Sequence, residues 1–581
     1  METREARRAL FREGALRLGQ HFLAYARQHQ GDLAALERKR DHILQAMDSC
    51  YEHAGAWRIV VECALSLHDH MERKGHWTTW EEYLDMALQA SRKMGDEGAE
   101  AALLTRLGVI KEHRGQWDEA LAVQERAAEL FRRLGDEAGL AASLNHMGEV
   151  CRHKGDWDRA LAYHEQALEI WARRGDEEGQ ARAWHNIGGV HLRRGEVDQA
   201  LAHFRRSMEI TERLRDLPGL ERTYNRMGLA HWSRGEWDRA LEFYQKQAEI
   251  CEQLGAEHSL SGAHNNMGVV YGCKGEWEKA LAHFERAREI TERVGDIPIL
   301  AQVYNNIGHV YRQMGRWGQA LAHYERSLEM AERLGERHSL ASTCDNIGSI
   351  HRLRGERDKA LAYHRRALAI REELGDKSGL AETTNSLGLL YADRGEWDEA
   401  LAYYEKALAL RQKLMDEPGL AETYHSLGLL HAARGELEEA LASYQRALEL
   451  RERLSNEHEV LDTLVELAQA EGSRQRYGAM ERHAERAWNL AQRLGRLDAL
   501  ARLSRLWGDV FLALGQVERA AEEYAQALQL SRSADNDRLI QLHREMRAHI
   551  QAQLARLAQE GQEEIAQVLR QRLAAFQGKE A

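Results

Sequence analysis

Residues 101–140 read AALLTRLGVIKEHRGQWDEALAVQERAAELFRRLGDEAGL. Leu103, Leu104, Leu107 and Ile110 recur at i, i+3/i+4 spacing, the stripe of an amphipathic helix, and predict a first helix (A) of about four turns. Gly115 ends it, with Arg114 beside the negative end of the helix dipole. A second helix (B) opens on Asp118 and Glu119, which suit a positive helix N-terminus. Its apolar side is Ala120, Leu121, Ala127, Leu130, Phe131 and Leu134, and Gly135-Asp136 stops it. Gly108 lies inside helix A, where glycine costs about 1 kcal/mol relative to alanine. Close approach of the B backbone past Gly108, Ala120 and Ala127 is the expected reason.

The same text returns every 40 residues, without insertion or deletion. Gly108 is followed by Gly148, Gly188, Gly228, Gly268, Gly308, Gly348, Gly388 and Gly428, then by Ala468 and Gly508. Pro218, Pro298 and Pro418, the only three prolines, share one register. A fixed period of this length marks a stacked array in which each unit buries its apolar face on its neighbours. The expectation is an all-α solenoid of about twelve helix-turn-helix hairpins over residues 61–534, with helical caps over 1–60 and 535–581. The unit around Ala468 has Gln475 for its second glycine and Met480 for its small alanine, which predicts a soft joint there. The tail carries a stripe of Leu539, Leu542, Met546, Ile550, Leu554 and Leu557, suited to a C-terminal cap.

Gly268, Tyr271, Ala280, Phe284 and Ala287 fall at the spacing of the tetratricopeptide repeat signature, and the chain resembles that family over roughly residues 61–534. The phrase from Leu420 to Gly428, LAETYHSLG, is similar to the longer repeat of kinesin light chains, Pins-type adaptors and the sensor arms of bacterial signalling ATPases. That resemblance implies a right-handed superhelix whose helices A line a concave face that holds a partner segment.

Nothing in the chain reads as chemistry. It lacks a GxxxxGK[ST] phosphate loop, an HExxH helix and a GxSxG elbow. Its six cysteines include no CxxC pair, the usage of a reducing compartment. His191, His231, His351 and His431 share a register with Tyr271, Tyr311 and Tyr391, so they read as aromatic-sized fillers and not as ligands. No enzyme activity, cofactor or metal is expected. A net charge of −13 argues against nucleic acid, and no long apolar run predicts a membrane span, so a cytoplasmic protein is expected.

Function is therefore sought on the helix A face. Its mid-helix positions carry asparagine, a poor helix former whose amide can both donate to and accept from a peptide backbone. Asn186, Asn225, Asn265, Asn266, Asn305, Asn306, Asn346 and Asn385, with Arg182, Arg222 and Arg226, form the predicted site for an extended segment of a partner protein. Bonds from one repeat to the next would occupy the same amides, and the two roles are compatible. Glu382, Asp393 and Glu422 later take places equivalent to the arginines. The function expected is a protein-interaction adaptor. A ligand-responsive regulator, or a scaffold that forms homo-oligomers through its terminal helices, are the alternatives.

Overall fold

The computed structural model describes residues 2–454, 456–533 and 536–578. Among them 28 α-helices and one short 3-10 turn follow one another, with no strand. The chain divides into two compact units, Met1–Leu254 and Gly255–Ala581. In the first, helices Glu2–Gln28 and Leu33–Tyr51 precede five hairpins, from Trp57–Arg73 with Trp77–Met94 to Leu217–Ser233 with Trp237–Leu254. The second holds seven hairpins, from Glu257–Cys273 with Trp277–Val294 to Leu497–Ala513 with Val517–Leu530. Helices Asp537–Gln559 and Glu563–Gly578 close it.

The Gly-Asp pair between hairpins performs two tasks. Gly135 takes the left-handed conformation (φ 70°) that ends helix B. Asp136 then caps the next helix, its carboxylate accepting from Gly139 N–H at 3.0 Å. Asp176, Asp216, Asp296, Asp376 and Asp416 cap in the same way, each bond being worth about 1 kcal/mol. The aspartate read from sequence as part of a stop signal also begins the next helix.

The helix A glycine has a different reason from the one expected. A Cβ on Gly228, Gly268, Gly388 or Gly428 would fall within 2.4–2.7 Å of the ring of Tyr244, Phe284, Tyr404 or Tyr444. A helix B side chain lies flat on the glycine, so the ring is the close neighbour and not the B backbone. Where alanine replaces glycine at 468, the facing residue is Ala484, and both are fully buried. Met480 is buried there too, in a continuous cluster with Leu461, Leu464, Leu467 and Leu503.

The histidine register serves as filler and as more. His231 stacks on Phe243 at 5.3 Å and His351 on Tyr363 at 5.6 Å. Tyr271 and Tyr311 stack on His283 and His323 in the same manner. The register histidines also hydrogen-bond through Nδ1 to the glutamate just before helix B, as His191 does with Glu196 at 2.6 Å and His231 with Glu236 at 2.6 Å. Leu134 departs from its predicted burial: at the last position of its helix it is 47% exposed. In the C-terminal stripe, Leu539, Leu542 and Met546 pack with Ala501 and Ala527.

Candidate peptide-binding face

Successive A helices place their predicted site residues in rows. In the first unit Arg182 and Arg222 are exposed, while Asn186, Asn225 and Arg226 are half-buried. Arg182 pairs with Glu178 one turn earlier at 3.2 Å. Asn186 donates its amide to Asn145 Oδ1 at 3.0 Å. Arg193, Arg222 and Arg226 form no ion pair among the described residues, although Arg194 and Arg234 on the neighbouring turns reach Asp158 and Asp198. Burial, with Arg152 and Arg193 close by, holds the Arg226 guanidinium below its usual pKa. His185 beside it is pushed down to about 3 by burial and by the charges of Arg226 and Arg222.

The second unit shows what the asparagines do in the folded chain. Asn306 donates to Asn265 Oδ1 at 2.9 Å, and Asn346 donates to Asn305 Oδ1 at 2.9 Å. Each bond joins one repeat to the preceding one. Asn265 is buried, Asn266, Asn305, Asn306 and Asn346 are half-buried, and Asn385 is fully buried. The Asn-to-Asn bonds end with Asn346 because the next two repeats carry serine in the donor register, Ser386 and then Ser426, whose hydroxyl turns back to Glu422 O at 3.0 Å. Neither amide atom of Asn385 has a hydrogen-bond partner among the described residues. The acidic residues read as a counterpart to the arginines are already paired: Glu382 with Arg371, Glu422 with Arg411, and Asp393 with Arg352.

Sequence reasoning missed two clusters, one buried between the helices and one on this face. One is the set of buried arginines Arg371, Arg411 and Arg451, which reach Thr383, Thr423 and Thr463 at 2.5–2.7 Å. Arginine in a buried register that elsewhere holds Phe131, Trp171, Thr211, Cys251, Thr291 and Ala331 was the available signal. The other is Glu112, Glu149 and His153, one ligand-type atom of each lying within 4.8 Å of the others. Burial and the nearby Glu149 carboxylate push Glu112 up to about 7. Glu149 occupies a register that varies along the chain, with Gly189, Leu229, Val269, His309, Ser349, Leu389, Gln469 and Asp509 elsewhere, so the period alone gave no signal for it.

The tetratricopeptide repeat profile matches residues 99–173, 139–213, 179–253, 219–293, 299–373 and 379–453. No curated protein shows a significant match to the chain. Solved structures that it resembles include BtubC from P. vanneervenii, 24% identical, with 39% of this chain and 92% of that one covered and a TM-score of 0.31. Another is a signal transduction ATPase with a tetratricopeptide repeat sensor from Pyrococcus horikoshii, 13% identical over 62% of this chain and 54% of that one, with a TM-score of 0.46. A third is the apo quorum sensor NprR from B. thuringiensis, 18% identical over 58% and 97% of the two chains, with a TM-score of 0.42. No helix among the described residues is long and apolar enough to cross a membrane.

Proposed function

Because this chain belongs to the tetratricopeptide repeat family, we propose that it is an adaptor that binds an extended, acidic segment of a partner protein on its helix A face. In the first unit the segment lies across Arg182, Asn186, Arg222 and Arg226. The observation that carries this reading is the positive charge of Arg193, Arg222 and Arg226, none of which forms an ion pair among the described residues; of the three Arg226 is half-buried, with the Glu149 carboxylate offsetting its charge only in part. A half-buried guanidinium without a counter-ion is costly, and a carboxylate arriving from a partner relieves that cost while gaining a charge-assisted bond.

In the second unit a partner backbone meets Asn266, Asn306 and Asn346. Asn306 and Asn346 each spend one N–H on the preceding repeat, which leaves a second N–H and the carbonyl oxygen. Asn265 and Asn305 stand behind as the acceptors that fix the amide orientation. Affinity capture from the native host with the full chain, read by mass spectrometry, tests the proposal. Retained proteins are expected to be released by raised salt and lost with Arg222→Glu/Arg226→Glu, a variant expected to melt as the wild type does. Retention of the same proteins by that variant overturns the reading.

A further inference from the structure

We propose that Glu112, Glu149 and His153, with His164 behind them, form a binding site for one transition-metal dication of the zinc class. Glu149 and His153 stand one turn apart on helix Glu137–Lys154, so both side chains leave the same side of the helix. Glu112 comes from the preceding A helix, Glu97–His113. Two carboxylate oxygens and an imidazole nitrogen make a mixed donor set that suits zinc and its neighbours. Zinc bonds of about 2.0–2.2 Å set tetrahedral ligand atoms roughly 3.4 Å apart. The present spread, within 4.8 Å, therefore needs only side-chain rotation to close.

Three features show that the cluster is built for more than repeat packing. The half-buried Glu112 carboxylate accepts no hydrogen bond from any described residue, and the His153 Nε2 lone pair lies 3.6 Å from it. The His153 ring is held flat against Trp117, with centroids 4.8 Å apart and planes 4° from parallel, which fixes where that nitrogen points.

His164 supplies the third feature. It is fully buried, and its Nδ1 lies 3.1 Å from Asn145 Oδ1. That oxygen also accepts from Asn186, so it is an acceptor and the Nδ1–H of His164 must be the donor. In the neutral ring Nε2 then carries a lone pair. It has no hydrogen-bond partner and faces Glu149 Oε1 at 3.5 Å. Two lone pairs facing each other in a buried place call for a cation between or beside them. A metal-ligating imidazole ordinarily donates its other ring N–H to a fixed acceptor, as His164 Nδ1–H does to Asn145 Oδ1. His364 occupies the same repeat register, but Ser349 stands where Glu149 would be.

A cation is already present in part. Arg152 Nη2 donates to Glu149 Oε2 at 2.7 Å and to His153 Nε2 at 2.9 Å. A dication must displace this guanidinium, so Arg152 is a competitor, and its removal is predicted to tighten metal binding. The inference does not depend on the peptide reading, since the metal alone is the probe.

The experiment titrates the chelator-treated full chain with Zn²⁺ by calorimetry and with Co²⁺ by visible absorption. One ion per chain and a d–d spectrum of nitrogen and oxygen ligation are expected. His153→Ala, at an exposed position that leaves folding unaffected, and Glu112→Gln are each expected to weaken Zn²⁺ binding roughly 100-fold, and Arg152→Gln to strengthen it about tenfold. His364→Ala is expected to change nothing. Binding that survives both ligand variants, a thiolate band from cysteine ligation, or no one-to-one binding overturns the proposal.

Discussion

The Asp537 carboxylate accepts a hydrogen bond from Trp317 N–H at 2.9 Å across 220 residues of chain. Asp537 N–H donates in turn to Gly315 O at 2.7 Å, and the Asn536 amide donates to Met314 O at 2.8 Å. Helix Trp317–Leu334 has Arg316 at its N-cap and no side-chain cap of its own. Asp537 supplies that cap from the C-terminal segment. Trp317 is correspondingly buried, whereas Trp117, Trp157 and Trp237 in the same register are half-buried.

Asp537→Ala is therefore expected to cost about 1–2 kcal/mol, the size of a lost helix cap. Hydrogen exchange should quicken at the start of Trp317–Leu334 and in Asp537–Gln559, and stay unchanged in the first unit. Unaltered protection of both helices would show that the contact contributes nothing in solution.

Extending the asparagine row should stabilise the second unit. Ser426→Asn places an amide where Asn306 and Asn346 have theirs, one repeat after the unpartnered Asn385. A new bond that satisfies a buried amide is worth about 1 kcal/mol. Asn346→Ala should cost about 1–3 kcal/mol, because it leaves the Asn305 carbonyl without its donor. Urea melts of the two variants are expected to move in opposite directions, and a Ser426→Asn midpoint at or below wild type would refute the geometry.

Much of the fold was legible because the repeat itself is an alignment. The glycine beat marked out the hairpins, and the histidine/tyrosine register announced an aromatic-sized filler. Contacts between distant repeats were not legible. Nothing local distinguishes Asp537 from any other helix-starting aspartate; what gives it Trp317 as a partner is the path of the chain between them. The role of the asparagines stood open for a related reason. A bond from Asn306 to Asn265 spans 41 residues, and spacing alone does not say whether a side chain turns to its neighbour repeat or outward. The Glu112 cluster was hidden because Glu149 stands in a register that varies from repeat to repeat.

The ring-on-glycine contact makes a coupled pair. Gly428→Ala sets a methyl within 2.4 Å of the Tyr444 ring, and overpacking of this kind costs about 1–3 kcal/mol. Tyr444→Ala alone leaves a cavity and costs about 3–5 kcal/mol. Together the two reproduce the Ala468 and Ala484 pair that the chain already uses. The double variant should be less destabilised than the sum of the singles by about 1 kcal/mol or more. Strict additivity in a double-mutant cycle of denaturant melts would mean that ring and glycine are not the coupled elements.

Stability should fall with pH in a window set by buried histidines. His68 is 5% exposed, and its Nδ1 accepts from Trp80 Nε1 at 3.2 Å. Burial, with Arg106 nearby, pushes it down to about 4, although Glu72 pulls the other way. Burial likewise pushes His425 down to about 4 and His185 to about 3. In the unfolded chain these rings titrate at about pH 6.5. Below that value the unfolded state takes up protons that the folded state refuses. Their contribution is thus whole above about pH 6.5 and is lost progressively as the pH falls toward about 4. One ring accounts for a slope of up to about 1.4 kcal/mol per pH unit. His113, hydrogen-bonded to Glu72 at 3.0 Å, is raised instead and works in the opposite sense, its share being lost as the pH rises. The depressed rings outnumber it, so the net slope is positive. Between about pH 6.5 and 5 the unfolded carboxylates are still ionised, and Glu112, pushed up to about 7, joins His113 in opposing the slope without outweighing the more numerous depressed rings. Urea midpoints measured across it should decline with acidity, and His68→Gln should make the decline shallower. A flat profile over that interval would sink the assignment.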